Sequence, residues 1–323
     1  MELAQCLVRY YEDHAKHLTR HDSEKRNLRY WLDFFGDTKV SEIDANRQRA
    51  FLRDLHARGM AKTTIQGIFK TGVSAVNFCR KEGMLLNDKL FIDVAKELKK
   101  FQFKKSVRWT AIEPEEMVKM FEHAKTEKMT RYLMLLIAGT SRSTAGIEIS
   151  GRSIDLDAGT IDLLLDDSEQ TNKYRATVKL PTFIRAIYCE GNLCSQTDKV
   201  PNLNNLRNRE WIPTREAAGV KSTVTPYSVR HGMAKWLRAC SVDPWHVSAQ
   251  LGHKRKGSEI TEVYAEFDPT YLSDVLEAIE GYFAVIHSKS PALRRFMEGT
   301  SYEARCDLVA KYRGILQKSD VSR

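Results

Sequence analysis

The sequence is sparing in cysteine and has no long apolar run and no internal repeat, and each absence removes a class of protein. Six cysteines (Cys6, Cys79, Cys189, Cys194, Cys240 and Cys306) are scattered over 323 residues. That usage suits free thiols in a reducing compartment rather than a disulfide framework. Cys189 and Cys194 lie close together, but no second pair or nearby histidine completes a zinc spacing, so no metal centre is expected. No stretch approaches the ~20 apolar residues that a membrane helix needs. The opening Met1-Glu2-Leu3-Ala4 has no targeting character, and a cytoplasmic protein with no membrane partner is expected. Low-complexity tracts are missing as well.

What remains is a folded chain with a charge bias. Apolar residues make up 42% and charged residues 29% of the sequence, the balance of a soluble globular protein. The length exceeds the roughly 100–200 residues of one domain, so two are expected. A net charge of +9 and a pI near 9.1 favour an anionic partner, because clustered Lys and Arg gain affinity by displacing counterions from phosphates.

The first hundred residues show helical spacing and little β-branched alternation. One helix is predicted after Asp22-Ser23, carrying Leu28, Trp31, Leu32 and Phe35 up to Gly36. A second runs from about Asp44 through Phe51, Leu52 and Leu55 to Gly59. A third starts near Thr63 and places Ile65, Ile68, Val76 and Cys79 on one face, with Gly83 as a left-handed stop. With the amphipathic opening segment they make a small four-helix domain, 1–105. A basic run follows, with Lys99, Lys100, Lys104, Lys105 and Arg108, open to two readings: a solvated linker or a strap that tracks phosphates. Pro114 at a first helical position, with Glu115 and Glu116 behind it, marks a new start. Beyond it, an apolar helix from Arg131 to Gly139 precedes a strand, a turn at Gly159 and a second strand within 154–165. Ala176 to Leu180 supplies a third strand, closed by Pro181. The fold class expected is mainly α with a small antiparallel β-sheet (α+β).

Five segments carry chemistry: Gly139-Thr140-Ser141-Arg142, Asn172-Lys173, Thr225-Pro226-Tyr227-Ser228-Val229-Arg230-His231, Leu251-Gly252-His253 and Thr261-Glu262-Val263-Tyr264. Their order and intervals resemble the motifs of the tyrosine recombinase (phage integrase) family, over nearly the whole chain. The resemblance implies an N-terminal four-helix DNA-clamping domain of SAM-like type at 1–105, a catalytic domain at 106–286 and a helical extension at 287–323.

The same resemblance assigns roles. Arg142 and Arg230 would hold the non-bridging oxygens of a phosphodiester, since planar guanidiniums bind both oxygens as Lys cannot. His253 would donate a further hydrogen bond. Tyr264 would be the nucleophile and Lys173, on a hairpin turn, the acid that protonates the departing 5′ oxygen. No cofactor or metal is implied, because the arginines supply the positive charge. Lys254, Arg255 and Lys256, beside His253, are read either as a solvated loop or as backbone contacts to DNA. Two departures stand out. Tyr227 occupies a position where the family usually has histidine, and a phenol is a poor proton shuttle near neutrality. Ala145 stands three residues after Arg142, where an acid commonly supports that arginine; Glu148 is the expected substitute. His231, adjacent to Arg230, is read as structural, and Trp236 and Trp245 as core or loop packing.

Partners implied are double-stranded DNA with paired recombination sites, a homotetramer on DNA that is a monomer or weak oligomer when free, and an accessory directionality factor. The amphipathic segment from Tyr271 to Ile286 is expected to dock on a neighbouring protomer, against ordinary packing within its own chain. Entry into the clamp almost at the start gives the expectation of a simple recombinase without an arm-binding module. Two alternatives compete: a recombinase that has lost catalysis and persists as a DNA-binding or regulatory protein, and a type IB topoisomerase-like enzyme.

Overall fold

The computed structural model describes residues 1–85, 101–102, 110–164, 174–189, 203–253 and 268–320. The chain divides into two compact units, Met1–Ser106 and Val107–Arg323.

In the first unit four helices, α1 (Leu3–Asp13), α2 (His21–Phe35), α3 (Ala45–Ala57) and α4 (Lys62–Lys81), enclose one apolar core. Each starts and stops for local reasons. Asp22 and Glu24 sit in the first turn of α2, where the helix dipole favours acids. The Asp44 carboxylate caps α3 by accepting from Arg47 N at 2.8 Å. Trp31 is the centre of the core. Its ring meets those of Phe35, Phe51 and Phe69 at 5.1–5.3 Å between centroids, and its indole N–H donates to the Ile68 carbonyl at 2.8 Å. Room for the ring comes from Gly72 on α4, where a Cβ would lie 2.0 Å from it. Leu32 departs from expectation. The buried line of α2 runs through Leu28, Trp31 and Phe35, and Leu32 falls at its edge, 42% exposed.

The second unit begins with α5 (Pro114–Glu122), α6 (Glu127–Gly139) and α7 (Ser143–Glu148). A three-stranded antiparallel sheet follows, β1 (Ile154–Asp155), β2 (Thr160–Asp162) and β3 (Thr177–Lys179), in that spatial order. Its middle row pairs Ile154, Ile161 and Val178, and the last two are fully buried. Then come α8 (Thr182–Cys189), α9 (Leu203–Leu206) and α10 (Ile212–Ala217), the last two joined by a π-helical turn, Arg207–Trp211. Pro213 explains that turn: it has no N–H for the carbonyl four residues back, and the Ile212 N–H instead reaches the Arg207 carbonyl. Finally α11 (Pro226–Ala239), α12 (Pro244–Gln250), α13 (Ser273–Lys289), α14 (Pro291–Met297) and α15 (Cys306–Asp320) complete the unit.

The C-terminal helices correct one expectation. Of the apolar face expected to seek a neighbour, Leu272, Val275, Ile279 and Phe283 are buried in this unit's own core and Leu276 is half-buried. Phe283 stacks on Phe183 at 3.8 Å, and the Trp236 indole N–H donates to the Ala278 carbonyl at 2.8 Å. The described part of the helical extension packs back on the same unit. Helix α13 runs through residue 286, and Tyr312 of α15 packs against Gly281, where a Cβ would come within 2.2 Å of its ring. An apolar stripe of this length buries itself wherever a matching surface is close in the chain, and α15 supplies one. Trp236 is core as expected, whereas Trp245, at the start of α12, is 37% exposed.

Candidate active site

Three chain segments meet in a small cleft of the second unit: the end of α6 with the start of α7, the residues leading into β3, and α11 with the turn after α12. Ser141, Arg142, Tyr174, Arg175, Arg230, Gln250, Leu251 and Gly252 are among its lining.

Arg142 is the N-cap of α7, and its Nη1 donates to the Tyr174 carbonyl at 2.9 Å. Arg230 projects from the first turns of α11, which the Thr225–Ser228 capping box and Pro226 start. It is 5% exposed, and main-chain oxygens hold it: Nη1 donates to the Thr140 carbonyl at 3.0 Å and Nη2 to the Leu251 carbonyl. Thr140 reaches that position with φ at 43°, a left-handed conformation that a β-branched residue adopts only at a cost of order 1–3 kcal/mol. Two contacts keep it there. Its Oγ1 donates to the Gln250 carbonyl at 3.4 Å, and the buried Gln250 amide donates to the Ala138 carbonyl at 3.3 Å.

The turn after α12 needs glycine. Gly252 has φ at 61°, and a Cβ on it would come within 2.8 Å of the Tyr174 carbonyl oxygen. That approach delivers His253, whose Nε2 lies 3.1 Å from Nη2 of Arg230. Guanidinium has no acceptor, so Nε2 accepts and, in the neutral ring, Nδ1 carries the proton. Burial, then the charges of Arg230 and Arg142, lower the His253 pKa, which favours this neutral form. Burial and then Arg142 push Arg230 down to about 10, with Tyr227 working against them through its charge and a hydrogen bond. Arg230 therefore stays charged at neutral pH.

Tyr227 lies one helical turn before Arg230, and its ring meets His231 edge-on at 4.9 Å between centroids. Burial, then Arg230, lower the His231 pKa. Glu148 does not support Arg142 directly. It ends the helix that Arg142 caps, six residues and about 9 Å along the axis, and its carboxylate pairs with Arg175 instead.

Arg142, Tyr227, Arg230 and His253 are thus brought together. Lys173 and Tyr264 lie outside the described residues, as do Lys99, Lys100, Lys104, Lys105, Arg108, Lys254, Arg255 and Lys256. Sequence reasoning overlooked Arg175, although an arginine flanking an apolar strand was a visible signal. It also overlooked the carbonyls of Thr140, Tyr174 and Leu251, which no side-chain pattern announces.

Three guanidiniums, those of Arg142, Arg175 and Arg230, and no carboxylate line the cleft among the described residues. Arg175 is paired with Glu148, but Arg142 and Arg230 repel each other, and an anion between them offsets that cost. The arrangement suits a phosphate.

No family profile matches the sequence, and no curated protein resembles it in sequence. Solved structures do resemble it in fold. A lambda integrase dimer bound to a COC′ core site superposes with a TM-score of 0.62 at 15% identity, over 83% of this chain and 79% of that one. A lambda integrase tetramer bound to a Holliday junction gives 0.61 at 14% identity, over 83% and 80%. The Tn1549 transposon integrase in complex with circular intermediate DNA gives 0.59 at 13% identity, over 84% of this chain and 98% of that one. Mainly helical, with its small antiparallel sheet, the chain shares the fold of these lambda and Tn1549 integrases.

Proposed function

We propose that this chain is a site-specific DNA recombinase that cleaves and rejoins strands through a 3′-phosphotyrosyl intermediate. The observation that carries the reading is the guanidinium-lined cleft, with Arg142 and Arg230 held by main-chain carbonyls and His253 hydrogen-bonded to Arg230.

In this reading Arg142 and Arg230 hold the non-bridging oxygens of the scissile phosphate and stabilise the charge that grows there during attack. With each guanidinium held by carbonyls, the remaining N–H groups donate to the oxyanion. His253 donates to the phosphate from Nδ1. The Tyr264 phenol gives up its proton to solvent water as it bonds to phosphorus; the bond from phosphorus to the 5′ oxygen breaks, and that oxygen takes a proton from Lys173. The phosphotyrosine keeps the bond energy of the diester, so a 5′ hydroxyl from a second duplex reverses the step without an added energy source. Residues 1–105 act as a helical clamp, and Lys99, Lys100, Lys104, Lys105, Arg108, Lys254, Arg255 and Lys256 contact the DNA backbone. Paired sites call for a tetramer on DNA.

Covalent trapping tests the reading. Wild type and Tyr264→Phe are incubated with nicked duplexes tiled across the DNA that flanks the coding sequence, where loss of the short 5′ fragment makes cleavage irreversible, and resolved on denaturing gels. A slow-migrating adduct with wild type alone is expected. Firm binding with no adduct on any nicked duplex would overturn catalysis and leave a DNA-binding protein.

A further inference from the structure

The residue that steadies Arg142 is not where the resemblance puts it. Position 145 is a buried alanine, and no carboxylate among the described residues lines the cleft. Arg142 leans instead on the Tyr174 carbonyl at 2.9 Å. A carbonyl steers a guanidinium only if its own peptide is held, and this one sits just before β3, outside the strand. On one flank Gly252 packs against the oxygen so closely that no Cβ fits. On the other, the next residue is Arg175, whose Nη1 bonds the Glu148 carboxylate and also reaches the Leu163 carbonyl at 3.4 Å.

Glu148 belongs to α7, the helix that Arg142 caps, so the connections close into a loop: Arg142 to the Tyr174 carbonyl, Tyr174 to Arg175 through one peptide, Arg175 to Glu148, and Glu148 back along α7 to Arg142. The Glu148 and Arg175 side chains are 36% and 24% exposed. Surface pairs of that kind add little to stability. Their effect is to fix orientation.

Resting on the recombinase reading of the same cleft, we propose that Glu148 is a positioning residue: through its ion pair with Arg175 it fixes the Tyr174 carbonyl, and that carbonyl sets the plane of the Arg142 guanidinium. Arg175 is then a strut rather than a third phosphate ligand, its charge already answered by Glu148. The acid absent at 145 has been replaced by one three residues further on that works through the main chain.

Two measurements test this, one without DNA. In protein labelled with 15N-arginine, with Arg142→Lys to assign the signals, a guanidinium hydrogen-bonded to the Tyr174 carbonyl rotates slowly about its Cζ–Nη bonds and gives separate Nη resonances. Glu148→Gln, and Arg175→Met from the other end, are expected to average the Arg142 resonances while those of Arg230 stay separate. Arg142 resonances unchanged in both variants would overturn the proposal; loss of the Arg230 pattern as well would reduce Glu148 to general structural support and overturn it too. The second measurement uses whichever nicked duplex gives an adduct with wild type. Glu148→Gln should slow adduct formation roughly 10- to 100-fold at saturating DNA, the scale on which small misplacements act, with DNA affinity unchanged. An unaltered rate would again overturn it. Failure of wild type to form any adduct would count against the recombinase reading alone, since the arginine resonances decide the positioning claim separately.

Discussion

The two units fill their interiors differently. In Met1–Ser106 the centre is hydrocarbon and aromatic, Trp31 ringed by Phe35, Phe51 and Phe69; the buried charge there is Glu24, paired with Arg20 one turn earlier. In Val107–Arg323 the core is as apolar around α13, yet Arg230, Thr140, Gln250 and Glu280 are buried within it. Such groups are tolerated only when their hydrogen bonds are met. Those of Arg230 are met by carbonyls, and those of Glu280 by the N–H and hydroxyl of Thr182 at the start of α8. Among the described residues the first interior buries few polar groups, Glu24, Gln48 and Thr71, while the second buries more and around the cleft holds them in fixed directions.

The contrast can be broken by substitutions in each. Trp31→Ala should cost about 3–5 kcal/mol, measured by urea unfolding of the full chain, and leave any DNA-cleaving chemistry of the folded fraction intact. A cost under about 1 kcal/mol would mean that the aromatic cluster is not the keystone of its unit. Arg230→Lys should do the reverse: adduct formation falls by roughly 10²–10³-fold, the scale for losing one oxyanion donor, with a smaller change in unfolding midpoint than Trp31→Ala produces. Glu280→Ala, which orphans the Thr182 groups, should cost about 1–3 kcal/mol. Glu280→Gln keeps an acceptor and should cost less; equal losses would show that charge rather than hydrogen bonding matters there.

Acid should find the difference as well. Burial, and then Arg230, lower the pKa of His231 and His253, and burial, then Arg294, that of His287. The unfolded chain therefore takes up these protons first, so their contribution is complete above a pH of about 6.5 and is lost as pH falls through the lower folded values. Unfolding midpoints should drop between pH 7.5 and 5.5, and less so for a His231→Gln, His253→Gln, His287→Gln triple variant. The smallest effect is expected at Leu32, where the exposed side chain makes Leu32→Ala nearly silent, within about 0.5 kcal/mol; a cost like that of a core leucine would place it inside.

Much of this was legible in the sequence, because helices and sheets are written in spacing. The run Leu28, Trp31, Phe35 gave α2, Pro114 gave the start of α5, and Gly159 gave the turn between β1 and β2. The order of Arg142, Arg230 and His253 was readable too, and the fold gathers all three. What was not legible depends on through-space partners. Glu148 was expected on Arg142 and is found on Arg175, since no spacing rule says which cation a strand will bring near. The face of α13 reads equally well as an interface or as core, and only the return of α15 settles which. Tyr227 shows its edge contact with His231 and its bond to Arg230 only once α11 is built.

The left-handed turn at Thr140 has a consequence for how such a site can be found. Arg142 and Arg230 take their bearings from the carbonyls of Tyr174, Thr140 and Leu251, and every amino acid carries a carbonyl. Residues at these positions can be exchanged while the acceptors stay in place, provided the backbone keeps its path. The acceptors themselves are thus invisible to alanine scanning and to any search by side-chain pattern, whereas the residues that hold them in place, Gly252 and Gln250 among them, are not. It would respond to an amide-to-ester replacement, which weakens one carbonyl and alters no side chain, and a chain can drift far in sequence while keeping the geometry that aims its arginines.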